Sequence, residues 1–424
     1  MKTDNNRTDS KKIKRGQDKP EEVEYIYTPA VEIRLIVGML FLMAFGLIMI
    51  FSASSYSCSI SAATNYDSAF YFKKQLRAIV IGIVALVVAV LVARFYIKKN
   101  NRRLIFITAI ASYIASIGCI FLLKLPGIAI NAKGATRWIT IGPLQFQVAD
   151  VVKVLMILFM AGYVNTYQKR MNNRVIIFVL WLAVAVQAFL VLAISSNLST
   201  AIILMLMVFT LTFIMSGDTK FHMYFLVTII VVVTIALVYL SHHLPAQEDV
   251  GKYPYQMARI FAWLDPKKYE ADGGYQPLQA MYAIGSAGVF GKGLGKGTQK
   301  LVNIPEAQND MIFSIICEEL GIVGAILMFM MYAYMLYQMF IVVKESRNLY
   351  GSVLTIGVML NIIYQIIVNV CVAVNLLPNT GVSLPFISYG GSAILFTMME
   401  VGIVLGIRLQ QTKLGYTRRI AAKR

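Results

Sequence analysis

Charge is scarce in this chain. Only 14% of its 424 residues are Asp, Glu, Lys or Arg, against 58% hydrophobic, and soluble domains carry roughly 25% charged residues. Histidine is scarcer: His222, His242 and His243 are all there is. The adjacent His242 and His243 end an apolar run, where a solvated place at a membrane edge outweighs metal binding. The four cysteines, Cys58, Cys119, Cys317 and Cys371, show no CxxC spacing, which argues against the usual metal and redox motifs and leaves them as packing residues. No Gly-x-x-x-x-Gly-Lys-Ser/Thr run is present, so the parts for nucleotide hydrolysis are missing. Residues 1 to about 30 lack the early apolar core of a cleavable signal and are expected to be disordered.

What the chain does have is apolar length. Ten runs approach the roughly 20 residues that cross a hydrocarbon layer. They lie at approximately 35 to 53, 78 to 95, 104 to 123, 147 to 165, 175 to 194, 200 to 216, 222 to 240, 311 to 343, 352 to 375 and 389 to 407. Spanning segments must satisfy their backbone hydrogen bonds internally, and no period-two alternation marks barrel strands, so helices are expected. The fold class is all-α: a polytopic membrane protein with ten transmembrane helices. Its parts are a polar N-tail over 1–32, a membrane domain over 33–409 and a basic C-tail over 410–424. The run from 311 is too long for one simple span and is expected to tilt or to extend past the bilayer.

Orientation follows from Lys and Arg, which concentrate in cytoplasmic connections. Both tails are basic, and so are alternate gaps: Lys98, Lys99, Arg102 and Arg103, then Lys169, Arg170 and Arg174, then Lys220, then Lys344 and Arg347. An even number of spans puts both termini in the cytoplasm and leaves the larger loops, 54–77, 124–146 and 241–310, outside. The net charge of +18 then faces anionic lipid, and no nucleic-acid partner is implied.

The outer loop over 241–310 ends in a glycine-dense stretch. Gly285, Gly288, Gly291, Gly293, Gly295 and Gly297 make it either a flexible connector or a nest of amides for an anion, with Lys292, Lys296 and Lys300 favouring phosphate. It can also fold back into the membrane, provided that it lines a cavity. Asp310 directly precedes the next apolar run, the position of a helix cap. Its other reading is a general base, with partial desolvation raising its basicity above that of a carboxylate of pKa about 3.9 in water. Glu306 either hydrogen-bonds the loop or serves a cation. Glu318 lies about 12 Å along a helix from Asp310 at 1.5 Å per residue, too far to share one proton transfer; with Glu319 it is expected to pack or to meet a partner. In the fourth span Asp150 and Lys153 are three residues apart and share a helix face. Such charges are costly in a membrane and mark function or a structural ion pair. Lys133 and Arg137 are placed to hold phosphate or to anchor an interface. Glu400 is expected to be buried in the last span.

Several of these residues sit in a recognisable order. It runs Gly274-Tyr275-Gln276, Gln279, Ala283-Ile284-Gly285-Ser286, Gly291-Lys-Gly293-Leu-Gly295, Gln299-Lys300, Pro305-Glu306-Ala-Gln-Asn-Asp310-Met-Ile-Phe313 and Glu318-Glu319-Leu-Gly321. Phe51-Ser52-Ala53-Ser54-Ser55 precedes it and Leu384-Pro385-Phe386-Ile387-Ser388-Tyr389-Gly390-Gly391-Ser392 follows it. This order resembles the SEDS family of shape, elongation, division and sporulation proteins over almost everything except the tails, and the division and sporulation branch more than the elongation branch. The resemblance implies a glycosyltransferase of the bacterial cytoplasmic membrane. It would polymerise the lipid-linked disaccharide-peptide, lipid II, into peptidoglycan on the outer face, with Asp310 as the essential carboxylate. It also implies a class B penicillin-binding protein transpeptidase as obligate partner, within the divisome or the elongasome. Candidate substrate-binding residues are Lys153, Asp150, Arg137, Lys133, Lys300, Gln299, Glu306, Ser388 and Tyr389. A divalent cation, magnesium or manganese, suits a departing diphosphate, although no ligand spacing demands one. The Ser388 to Ser392 segment presents backbone to the lipid substrate or allows close helix contact.

Two motifs depart from the family pattern. Gln147-Val148-Ala149-Asp150 stands where Gln-Pro-Ser-Glu is expected, and Ser196-Asn197-Leu198-Ser199-Thr200 where Pro-Asp-Leu-Gly-Thr is. Retention of Lys153 and Asp310 favours a working enzyme. The alternatives are a transporter that flips lipid II, against which the lack of an evident inverted repeat counts a little, and a catalytically degenerate scaffold for the transpeptidase.

Overall fold

The computed structural model describes residues 30–132, 135–141, 144–301 and 304–422; the expected N-terminal disorder falls almost wholly on residues outside these. Helices run in the order α1 (Val31–Ser59), α2 (Phe70–Lys99), α3 (Arg102–Phe121), α4 (Val148–Tyr167), α5 (Arg174–Ser195), α6 (Leu198–Met215), α7 (Thr219–His242), α8 (Tyr255–Leu264), α9 (Tyr275–Gly285), α10 (Ile312–Glu345), α11 (Leu349–Ala373) and α12 (Gly391–Ala422). Among the described residues, ten of them, α1 to α7 and α10 to α12, are long and apolar enough to cross a membrane. α12 continues well past the expected end of the membrane domain, through most of the C-tail.

Short polar connections start these helices with side-chain caps. Asn101, Asn173, Asn197, Asp218 and Asn348 each accept hydrogen bonds from backbone N–H groups of the first turn of α3, α5, α6, α7 and α11, donors that no helical carbonyl can satisfy. Close packing of α12 on α2 depends on glycines four residues apart. A β carbon on Gly402 or Gly406 would stand 2.5 or 2.6 Å from the carbonyl oxygens of Leu86 and Val90, the small-residue approach of membrane helices. Near the middle of α12, the Arg408 side chain is 1% exposed and bridges Glu345 (2.5 Å) and Glu32 (3.5 Å), tying α12 to α10 and α1. α7 is peripheral: His222 in its first turn is its one buried residue.

The loop between α3 and α4 forms a three-stranded antiparallel sheet, β1 (Ala129–Ala132), β2 (Ala135–Ile141) and β3 (Leu144–Gln147). Strands of four to seven residues are too short to stand out beside apolar runs of about 20 residues. The loop between α7 and α10 carries α8 and α9 and a small core of its own, where Val250, Phe261, Ala262 and Tyr269 pack together and the Tyr269 hydroxyl donates to the Pro245 carbonyl at 2.6 Å.

The long run from 311 does not simply tilt. α10 breaks at Gly321, whose backbone (φ 67°, ψ −162°) is non-helical, a conformation essentially confined to glycine. The glycine-rich segment enters the break and pairs with the backbone groups it frees. Lys292 N–H donates to Glu318 O and Gly293 N–H to Glu319 O, both at 2.9 Å, while Ile322 and Val323 N–H donate to Gly288 and Val289 O at 3.4 and 3.3 Å. The freed backbone groups of the break thus keep hydrogen-bond partners.

Candidate active site

Asp310 closes a run of turns that joins the glycine segment to α10. It is half-buried, and the N-cap position of α10 falls to Met311, one residue beyond it. Gln276, near the start of α9, uses its Nε2 amide to donate to Asp310 Oδ1 at 3.2 Å and to the Pro305 carbonyl at 2.9 Å. The Gln276 Oε1 accepts from Asn379 Nδ2 at 2.8 Å, and the Asn379 carbonyl accepts from Arg259 Nη1 on α8 at 2.8 Å. From α11, Asn369 Nδ2 donates to the Asp310 carbonyl at 2.7 Å and to Val382 O at 2.6 Å. A cleft of about 360 Å³ opens beside this chain, with Arg259, Trp263, Glu270, Asp272, Gln276 and Asn379 among its lining residues. A carboxylate, a guanidinium and an aromatic ring around one cleft suit a substrate that combines sugar hydroxyls with phosphate.

Of the lysines expected at phosphate, Lys292 and Lys300 are engaged by glutamates. Lys300 is 5% exposed; its ammonium meets Glu319 Oε1 at 2.5 Å and donates to Ser52 O and Oγ at 3.0 Å. Glu319 also accepts from the Ser52 hydroxyl and from Gly295 N–H. Glu318 takes Lys292 Nζ at 2.7 Å, Thr298 N–H at 2.8 Å, the Thr298 hydroxyl at 3.0 Å and Gln299 N–H at 3.1 Å. The two glutamates thus hold the glycine segment against α10, which is the packing service expected of them. Gln299 and Lys300 belong to this lock and do not line the cleft.

A second polar cluster lies inside the bundle. Asp150 and Lys153 pair at 3.0 Å. Asp150 accepts from Ser392 Oγ at 2.8 Å, and Lys153 donates to Gln365 Oε1 at 3.1 Å. Gln365 leads to Asn361, whose amide holds both oxygens of buried Glu400. Asp150, one methylene shorter than the expected glutamate, still reaches both of its partners. The other departure also keeps its local role. Asn197 caps α6 by accepting from Thr200 N–H at 3.1 Å and from Ser199 Oγ at 2.9 Å, so the amide does the capping that an aspartate would do.

Arg137 donates to the Ser195 and Ser196 carbonyls at 3.3 and 3.0 Å and fastens β2 to the end of α5. Lys133 lies outside the described residues. Glu306 is exposed and accepts from Asn309 Nδ2 at 3.2 Å, a bond within its own turn. Ser388 Oγ accepts from Leu384 N–H at 2.7 Å, and Tyr389 N–H donates to Gln308 O at 2.9 Å two residues from Asp310. Among the described residues, no three His, Cys, Asp or Glu side chains converge as a metal cage. The structure adds Gln276 and Asn369 as hydrogen-bond partners of Asp310, and Asn379, Arg259 and Trp263 to the cleft beside them. Of these, only Gln276 belongs to the Gly274-Tyr275-Gln276 motif; the others are single residues whose proximity depends on tertiary folding.

Comparison with known proteins agrees along the whole bundle. The chain is 31% identical to stage V sporulation protein E of Bacillus subtilis over 89% of its length and 96% of that protein. It is 29% identical to the probable peptidoglycan glycosyltransferase FtsW of Thioalkalivibrio sulfidiphilus, over 95% and 96% of the two chains. In fold it is similar to a chain of a peptidoglycan synthase complex that coordinates polymerization and crosslinking (TM-score 0.66, 23% identity, 89% and 97% coverage). It is also similar to the rod shape determining protein RodA of Thermus thermophilus (TM-score 0.55, 22% identity, 92% and 99% coverage). The family model described as "Cell cycle protein", which groups FtsW, RodA and SpoVE, matches residues 33–413, and this chain belongs to that family.

Proposed function

We propose that Asp310 is the general base of a peptidoglycan glycosyltransferase that joins lipid II units at the outer face of the cytoplasmic membrane, during cell division or sporulation. The observation that carries this reading is the seat of Asp310: half-buried, held by a neutral amide at 3.2 Å and joined through that amide to the wall of a cleft of about 360 Å³. In the reaction an acceptor sugar hydroxyl gives its proton to the Asp310 carboxylate as its oxygen attacks the donor sugar's anomeric carbon. The bond from that carbon to the polyprenyl diphosphate breaks with inversion. Positive charge near the departing diphosphate lowers the barrier, and Arg259 in the cleft wall supplies it. Glu270 and Asp272 are placed to accept from sugar hydroxyls or the peptide amine. A magnesium or manganese ion enters this scheme only with the substrate's diphosphate; no residues of the chain are assigned to it.

The ten-span parity and the basic inner connections support two cytoplasmic termini, which puts α8, α9 and Asp310 outside, where lipid II is presented. A class B penicillin-binding protein would crosslink the strands as they form. The test is reconstitution of the chain and its transpeptidase with lipid II, followed by sizing of the glycan. Asp310→Ala is expected to abolish polymer while leaving folding and complex formation intact, a loss of at least about 10²-fold. Equal polymer from both proteins would remove the assignment, as would lipid II translocation without any polymer growth.

A further inference from the structure

We infer that Gln276 is a positioning residue for glycosyl transfer: its side-chain amide sets the orientation of the Asp310 carboxylate and links it to the cleft. This rests on Asp310 being the base. Gln276 is held at both ends of its amide. The nitrogen spends its two hydrogens on Asp310 Oδ1 (3.2 Å) and the Pro305 carbonyl (2.9 Å), and the oxygen accepts from Asn379 Nδ2 (2.8 Å). These three partners fix which atom of the amide faces Asp310, because a flipped amide would set its oxygen against a carbonyl and a carboxylate oxygen. The Asn379 carbonyl is in turn fixed by Arg259 at 2.8 Å. Arg259, Asn379, Gln276 and Pro305 all line the same cleft, so a sugar headgroup seated there touches the chain of amides that ends on Asp310. A neutral donor on one carboxylate oxygen favours the ionised base without removing its charge, and loss of correct placement is worth up to about 100-fold in rate.

Charged groups near this site include Arg259, Glu270 and Asp272 on the cleft walls and Glu306 in the same turn as Asp310; all are kept in the variants below. Polymerisation of lipid II by the complex with its transpeptidase is measured against pH and substrate concentration for wild type, Gln276→Ala, Gln276→Glu and Asn379→Ala, with Asp310→Asn as control. Gln276→Ala is expected to lower kcat by roughly 10- to 100-fold with KM little changed, and to move the acidic limb of the pH profile upward. Gln276→Glu moves that limb further up, because a like charge beside Asp310 disfavours its ionised form. Asn379→Ala, which releases Gln276 Oε1 without removing the donor to Asp310, moves it the same way by less. A purely structural role would reduce activity equally at every pH. Acidic limbs that superpose on wild type in all three variants overturn the inference if Asp310→Asn is inactive; an active Asp310→Asn instead removes the base reading on which it rests.

Discussion

Replacement of Lys300 by Met separates two roles for this lysine, a phosphate ligand and a structural lock. Its ammonium lies 2.5 Å from Glu319 Oε1, with side-chain exposures of 4% and 0%. At an effective dielectric of about 20, two unit charges at that distance attract by about 7 kcal/mol, while taking them out of water costs several kcal/mol per ion. The pair therefore comes out near balance when intact. Lys300→Met leaves the Glu319 carboxylate buried with, among the described residues, the Ser52 hydroxyl and Gly295 N–H as its remaining donors, and breaking a buried ion pair costs about 3–5 kcal/mol. Glu319→Leu should cost a similar amount by stranding the ammonium. The double variant is expected to be less destabilised than either single one, since both charges leave together. Unfolding of the purified protein in mixed micelles with rising sodium dodecyl sulfate measures all four corners of the cycle. A Lys300→Met protein of wild-type stability with a raised KM for lipid II would refute the lock and return Lys300 to the substrate.

Two further expectations concern the rest of the frame. Gly321→Ala forces a side chain into a glycine-only conformation and against the backbone of Val289 and Gly291. Strain alone costs about 1–3 kcal/mol, and the same micelle unfolding together with faster proteolysis of the glycine segment should reveal it; stability within about 0.5 kcal/mol of wild type would contradict the broken helix. At the start of α7, the Arg174 guanidinium holds the Asp218 carboxyl below its ordinary value, helped by Phe221 N–H. A depressed folded-state pKa contributes stability that is present above the unfolded value and lost as pH falls through the folded one. The advantage of wild type over Asp218→Asn should therefore be full at neutral pH and fade below about pH 4, and a difference that stays constant down to pH 2 would dismiss the ion pair as its source.

How much was readable beforehand depended on whether a signal was local. Each membrane helix announces itself by some 20 apolar residues, and all ten runs correspond to helices. Length alone did not distinguish a tilted helix from a broken one, because Gly321 has a meaning only once the Gly288 to Gly293 backbone lies against it. The lysines show the same limit. Lys292 and Lys300 beside glycines read naturally as phosphate ligands, yet Glu318 and Glu319, 19 to 26 residues further on, are brought back onto them by the fold. Asn197 was legible as a lost charge but not as a preserved cap, since capping is a matter of geometry at Thr200.

The sequence by itself determined the solvent in which this protein folds, the number of its spans and the motif that contains Asp310, because hydropathy and charge act over a few residues at a time. Tertiary structure alone decided what surrounds that carboxylate. Gln276, Asn369, Asn379 and Arg259 come from four separate stretches of chain, and nothing in their spacing brings them together. They meet because the packing of α8, α9 and α11 brings their polar groups within hydrogen-bond reach of one another.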